Sequence, residues 1–222
     1  MIPAFDKELK DTFHRLITDP HLKQFVDGNL TIPKAFHGND AIKLVVLGHD
    51  PTVKNKRIQS QITTVLNLDR DGYFRRYLSQ VCVLLGLDLD RNIYATYYFK
   101  NIFSMPPTQF KQEEDVFAKF SQVWLPLLHK ELAFFDNVPI LTLGETVLSL
   151  IVKDDTPSRV SEYWGYDRDG KSDKILPFRY IHPSENILNH VVFPFPHWPN
   201  LGRFYSARLE KYVAFMRRII TS

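Results

Sequence analysis

The sequence predicts a three-layer α/β/α protein with a central, mainly parallel four-stranded sheet. Short apolar runs alternate with longer segments of helical spacing. Those runs are rich in β-branched residues and lack a polar face, as strands buried on both sides do. Gly48 and Gly144 close two of them, marking sharp exits at the strands' carboxyl ends. A chain of 222 residues fits one domain over 1–222, with 1–40 as an N-terminal helical extension.

From the N-terminus, Phe5, Leu9, Phe13, Leu16 and Ile17 carry a helical spacing within 4–26, and Asp27-Gly28-Asn29 signals a turn. Ala41–Leu47 is the first strand, and Gly48-His49-Asp50-Pro51-Thr52 leaves it as a tight loop. Tyr73–Leu85 reads as a helix stopped by Gly86, and Ile93–Phe99 as the second strand. Pro106-Pro107 punctuates a loop. Glu113–Phe135 has the pattern of a long amphipathic helix that Pro126 should bend or split. Val138–Gly144 is the third strand, followed by a helix over Glu145–Val152. Lys153–Lys174 is a polar excursion. Phe178–Ile181 and Val191–Phe195 are two further strand candidates, and a helix over Phe204–Ile220 closes the chain.

Composition narrows the function classes. Hydrophobic residues at 44% and aromatics at 14% supply a full core, which excludes a disordered chain. A net charge of +3 tolerates a polyanionic partner without demanding one. The lone Cys82, among Val81, Val83 and Leu84, excludes an intramolecular disulfide and a cysteine-ligated cluster, and reads as a small buried hydrophobe. No nucleophile-elbow serine, phosphate-cradling glycine loop or metal-ligand spacing is present, so no metal or cofactor is expected. The early charges Asp6, Lys7, Glu8 and Lys10 argue against a secretory leader. No apolar run approaches the roughly 18 residues of a membrane span. A cytoplasmic monomer is expected.

In open parallel sheets, ligands sit beyond the carboxyl ends of the strands. The loops after Leu47, Phe99 and Phe195 converge there. Pro51 fixes its own backbone and holds Asp50 extended, so the carboxylate is aimed rigidly. Such a group orients a water or stabilises a developing cation. The same dipeptide also serves as a plain turn.

The run Leu44-Val45-Val46-Leu47-Gly48-His49-Asp50-Pro51 resembles the first motif of the uracil-DNA glycosylase superfamily, commonly Gly-Gln-Asp-Pro-Tyr. Gly48, Asp50 and Pro51 match; His49 replaces the Gln and Thr52 the Tyr. Ile93–Lys100 resembles a family strand reading Val-Tyr-Ile-Thr-Asn-x-x-Lys. Thr96 and Lys100 fit, Tyr97 stands at the base-reading asparagine, and Asn101 lies nearby as a substitute. Val138–Leu150 resembles the family's strand-Gly-helix segment. Two places compete for the final His-Pro-Ser motif. His182-Pro183-Ser184 is the literal match, whereas His197, followed by Trp198, Pro199 and Asn200, has the expected strand before it and helix after it. His197 is favoured.

This resemblance implies a DNA partner, single- or double-stranded, and hydrolysis of the N-glycosidic bond of a flipped, altered base. Asp50 and His197 would be catalytic. Gly48, His49, Pro51, Thr52, Tyr97, Lys100, Asn101, His182, Trp198 and Asn200 would contact substrate, with Tyr73 or Phe74 stacking on the base. Lys54, Lys56 and Arg57 suit phosphate contacts. Two rival readings are a non-catalytic nucleobase or nucleic-acid binder on the same scaffold and an unrelated α/β hydrolase using Asp50 and His197.

Overall fold

The computed structural model describes residues 3–53, 55–110, 116–166, 176–197 and 200–221. Its sheet has five strands, one more than expected. They are β1 (Phe36–His37), β2 (Leu44–Gly48), β3 (Ile93–Tyr97), β4 (Ile140–Leu143) and β5 (Val192–Phe195). The order is β1-β3-β2-β4-β5. β3, β2, β4 and β5 are parallel and buried along their whole lengths, which is why the sequence shows apolar runs without alternation. β1 is a two-residue antiparallel edge inside the supposed helical extension, pairing Phe36 with Ala95 and His37 with Tyr94. So short an element carries no periodicity to read.

Among the described residues the helices are α1 (Pro3–Thr18), α2 (Lys56–Gln59), α3 (Tyr73–Leu85), α4 (Leu89–Asn92), α5 (Val116–Leu132), α6 (Glu145–Ile151), α7 (Val160–Tyr163) and α8 (Leu209–Thr221). α3 packs on α8, and α1 on α5. Strand alternation separates the two pairs, because successive side chains leave opposite faces. Tyr94 and Thr96 bond Glu131 of α5, whereas Tyr97 reaches the Val65–Asn67 turn that packs on α3. Helices therefore cover both faces.

Three local expectations change. α5 runs unbroken through Pro126, which lies on its exposed side, where water can meet the carbonyl that loses its N–H partner. Phe178–Ile181 is not a strand; Ile181 alone bridges Val192. The aromatic rings that suggested a strand pack instead toward α8, with Phe178 5.5 Å from Tyr212 and Tyr180 6.3 Å from Phe215. The closing segment starts as a π-helical turn (Leu201–Tyr205) and a 3-10 turn (Ser206–Arg208) before α8 begins. Among the described residues, no helix is long and apolar enough to cross a membrane.

β5 contains Pro194, paired with Thr142. Val191 and Phe195 bond toward β4, so Val192 and Pro194 turn their polar groups outward. Ile181 takes both outward bonds of Val192, and the Trp164 indole donates to the Pro194 carbonyl at 2.7 Å. A proline lacking an N–H is thus tolerated at a position that needs none.

Candidate functional site

The crossover direction reverses between β2 and β4, and a cavity of about 810 Å³ opens beyond their carboxyl ends. Gly48 to Val53 form one wall, and Leu143 to Thr146 another. Pro196, His197 and Asn200 close it beyond β5, with Phe74 and Tyr97 also lining it.

The Asp50 loop is pinned from several directions. Tyr98 and Phe99 donate their amides to the Gly48 and His49 carbonyls at 2.9 Å, extending the β2–β3 ladder past its end. The side chain of buried Gln59 accepts from the Val53 amide at 2.7 Å and donates to the Pro51 carbonyl at 3.1 Å. Thr52 Oγ1 accepts from the Phe103 amide at 2.9 Å. Loop movement would break these bonds together, so the carboxylate is preorganised.

Asp50 is only 8% exposed at its side chain. Its Oδ1 accepts from the Thr52 amide at 2.7 Å, and its Oδ2 lies 2.5 Å from His49 Nδ1. A carboxylate accepts, so Nδ1 carries the proton of that bond. The imidazole stands edge-on to Phe99 and Phe117, with ring centroids 5.1 and 5.8 Å away. Nε2 has no partner among the described residues.

His197 faces the cavity from the other side, edge-on to Phe74 at 5.5 Å. Burial against this wall lowers its pKa below the ordinary histidine value. Its carbonyl accepts from the Asn200 and Leu201 amides, just ahead of the π-helical turn. Gly144 stands at φ 91°, a backbone conformation that favours glycine, and a Cβ there would make only ordinary contact, 3.6 Å, with that of His197. Tyr205 lines the same wall, with its pKa pushed up to about 12 by burial and by nearby Glu145.

Four anticipated residues lie elsewhere. His182 is exposed and does not line the cavity; it caps the Pro183–Glu185 turn, accepting from the Ser184 amide while its own amide donates to Glu185 Oε2 at 2.7 Å. Tyr73 is 69% exposed, with the Arg76 guanidinium 5.8 Å over its ring. Asn101 is buried away from the cavity, its Oδ1 accepting from the Trp124 indole at 2.7 Å. Lys100 shares the Thr96 side of the sheet and pairs with Glu131 at 2.5 Å, donating also to Thr96 Oγ1 at 2.7 Å. Both charges are about 95% buried, and Tyr94 and Thr96 donate to the other Glu131 oxygen. This cluster floors a second hollow of about 1280 Å³ beneath α1, where its members satisfy one another. Trp198 and Lys54 lie outside the described residues, and Arg57 is exposed on α2.

Sequence reasoning missed Asn67. It lines the cavity, has φ 52°, and follows Leu66 at φ 56°. Tyr97 supports this left-handed pair, its hydroxyl accepting from the Leu66 amide at 2.9 Å. The Tyr97 ring reaches that point because residue 48 is glycine: a Cβ there would meet Tyr97 Cδ1 at 2.7 Å. The sequence signal available was an asparagine, a residue that tolerates left-handed backbone.

A scan against protein-family models finds no match to this chain, and a search of curated proteins finds none either.

Proposed function

We propose that this chain is a DNA glycosylase-like protein that takes a flipped nucleobase into the cavity beside Asp50 and hydrolyses its N-glycosidic bond. The observation that carries the reading is that Asp50, after β2, and His197, after β5, line one cavity. About 810 Å³ falls within the range of small-ligand pockets. The Gly48–Pro51 resemblance supplies the substrate class.

In this mechanism the C1′–N bond breaks with its electron pair leaving on the base. His197 donates a hydrogen bond to the base oxygen as charge grows there. Asp50 stabilises the oxocarbenium-like sugar and orients the water that adds to C1′; the carboxylate takes the proton that this water releases and passes it on through solvent to the departed base anion, so sugar and base both leave neutral. Each Asp50 oxygen carries one protein donor, and a carboxylate has about four acceptor sites, so capacity for water is left. Flipping the base costs a few kcal/mol of unstacking.

The same pair of occupied oxygens favours a second reading, a nucleobase binder without turnover, since each oxygen is already partly neutralised by a protein donor. Single- and double-stranded oligonucleotides carrying uracil or hypoxanthine separate the two. Base release in single turnover supports hydrolysis, and tight binding with no release supports the binder. Neither release nor binding at low salt, where phosphate contacts are strongest, would remove both.

A further inference from the structure

We infer that the hollow beneath α1 is a second ligand site, and that it takes an uncharged molecule with an apolar body and one hydroxyl that donates to Glu131. Neither Asp50 nor His197 lines it, so the inference stands apart from the nucleobase reading.

The hollow has about 1280 Å³, more than the cavity beside Asp50. Leu9, Phe13 and Ile17 line it from α1 and are only part-buried. Their spacing of four puts them on one face of the helix. Ile32 and Ala35 supply another part of the wall. Phe134 lines the hollow too and is 56% exposed, although a phenyl ring is more stable out of water. A ligand body laid here would cover that ring. A large, mostly apolar concavity with a few convergent polar groups is the common form of a small-molecule site.

The convergent polar groups are the side chains of Tyr94, Thr96, Lys100 and Glu131, and their hydrogen bonds can be counted. Tyr94 and Thr96 each donate to Glu131 Oε1, at 2.5 and 2.9 Å. Burial, and then Glu131 beside it, push the Tyr94 pKa up, so the phenol keeps its proton. The Lys100 ammonium donates to Thr96 Oγ1 at 2.7 Å, to the Tyr97 carbonyl at 3.2 Å and to Glu131 Oε2 at 2.5 Å. An ammonium has three hydrogens and each hydroxyl one, so these side chains have no donor left. A carboxylate has about four acceptor sites. Glu131 has two engaged on Oε1 and one on Oε2. The floor of the hollow can therefore accept one more hydrogen, on Oε2, and can donate none.

Charge narrows the ligand further. Another ion in a buried apolar site carries a desolvation penalty, and the Lys100 and Glu131 charges already neutralise each other. The other charged lining residues, Asp6, Lys10, Asp11 and Lys34, are two of each sign, so they draw neither an acid nor an amine. An acid head would also find no hydrogen at the floor. An alcohol or phenol hydroxyl is uncharged at neutral pH and brings the one hydrogen that Oε2 can take.

The test is isothermal titration calorimetry of the full chain at neutral pH with 4-pentylphenol, 4-pentylanisole and 4-pentylbenzoate, which share one apolar body. It is run at two temperatures, because apolar burial carries a heat-capacity change. The phenol should bind about tenfold or more tightly than the ether or the benzoate, the scale of one hydrogen bond to a charged acceptor. Ala35→Trp adds bulk to the wall, and Phe134→Ser removes apolar surface at an exposed position where the fold and Tm should not suffer. Weaker phenol binding in either variant supports the hollow as the site. Should Ala35→Trp fail to fold, Phe134→Ser alone decides. If the phenol shows no saturable binding, if the ether or the benzoate binds as tightly, or if every folded variant binds the phenol as the wild type does, the inference fails.

Discussion

Asp50 fastens its own chain neighbour: Oδ2 lies 2.5 Å from His49 Nδ1, while Oδ1 takes the Thr52 amide. One carboxylate thereby orders the imidazole, the turn and the cavity wall. Asp50→Asn removes the charge but keeps the shape. We expect base release from uracil- or hypoxanthine-bearing oligonucleotides to fall at least ~100-fold, within the range for removing a catalytic acid or base. The melting temperature should fall by no more than a few degrees. Unchanged release would remove Asp50 from the chemistry.

Gly48→Ala tests the packing beneath the site. The added Cβ would meet Tyr97 Cδ1 at 2.7 Å and Cε1 at 2.8 Å. The ring is buried and tethered by its hydroxyl, so it cannot swing aside freely. Overpacking of this kind costs about 1–3 kcal/mol. Urea unfolding should show that loss, with base binding weakened as the Leu66–Asn67 turn shifts.

Lys100→Met separates stability from function. It strands the Glu131 carboxylate in a buried site, and breaking such a pair costs about 3–5 kcal/mol. Because the pair faces α5 rather than the Asp50 cavity, activity per folded molecule should stay within a factor of about two of wild type, as small as the effects of substitutions away from a site. A selective loss of base release at full folding would show that Lys100 reaches the substrate.

His197 predicts a pH signature. Its pKa in the folded chain is lowered by burial, whereas in the unfolded chain it is near the ordinary value of about 6.5. As pH falls through about 6.5, the unfolded state takes up a proton that the folded state refuses, so this residue's contribution to stability declines. His197→Gln removes that contribution. Between pH 8 and pH 5.5 the variant's urea midpoint should drop less than that of wild type; equal drops would show that the imidazole is free in solvent.

The sequence was most legible where one residue's neighbours along the chain fix its role. The apolar run into Gly48 and the Asp50-Pro51 corner needed no distant partner to be recognised, and both lie at the sheet's ligand edge. His197 was legible through the strand before it. What depended on distant contacts was hidden. β1 exists because two residues find Tyr94 and Ala95 across the sheet. The Leu66–Asn67 turn exists because Tyr97, thirty residues on, supplies an acceptor. Lys100 was misjudged for the same reason: nothing nearby in sequence announces Glu131, which draws its ammonium to the other face.

Pro194 bears on how the molecule behaves in company. An open sheet ordinarily exposes a lattice of free amides and carbonyls on which a neighbouring chain can crystallise into fibre. Here the rim offers no such template: Ile181 occupies Val192, an indole occupies the Pro194 carbonyl, and the ring has no hydrogen to lend. Self-association by strand addition is closed along that margin. Pro194→Val, by restoring an unclaimed amide there, should lower the concentration at which the protein begins to cloud on storage.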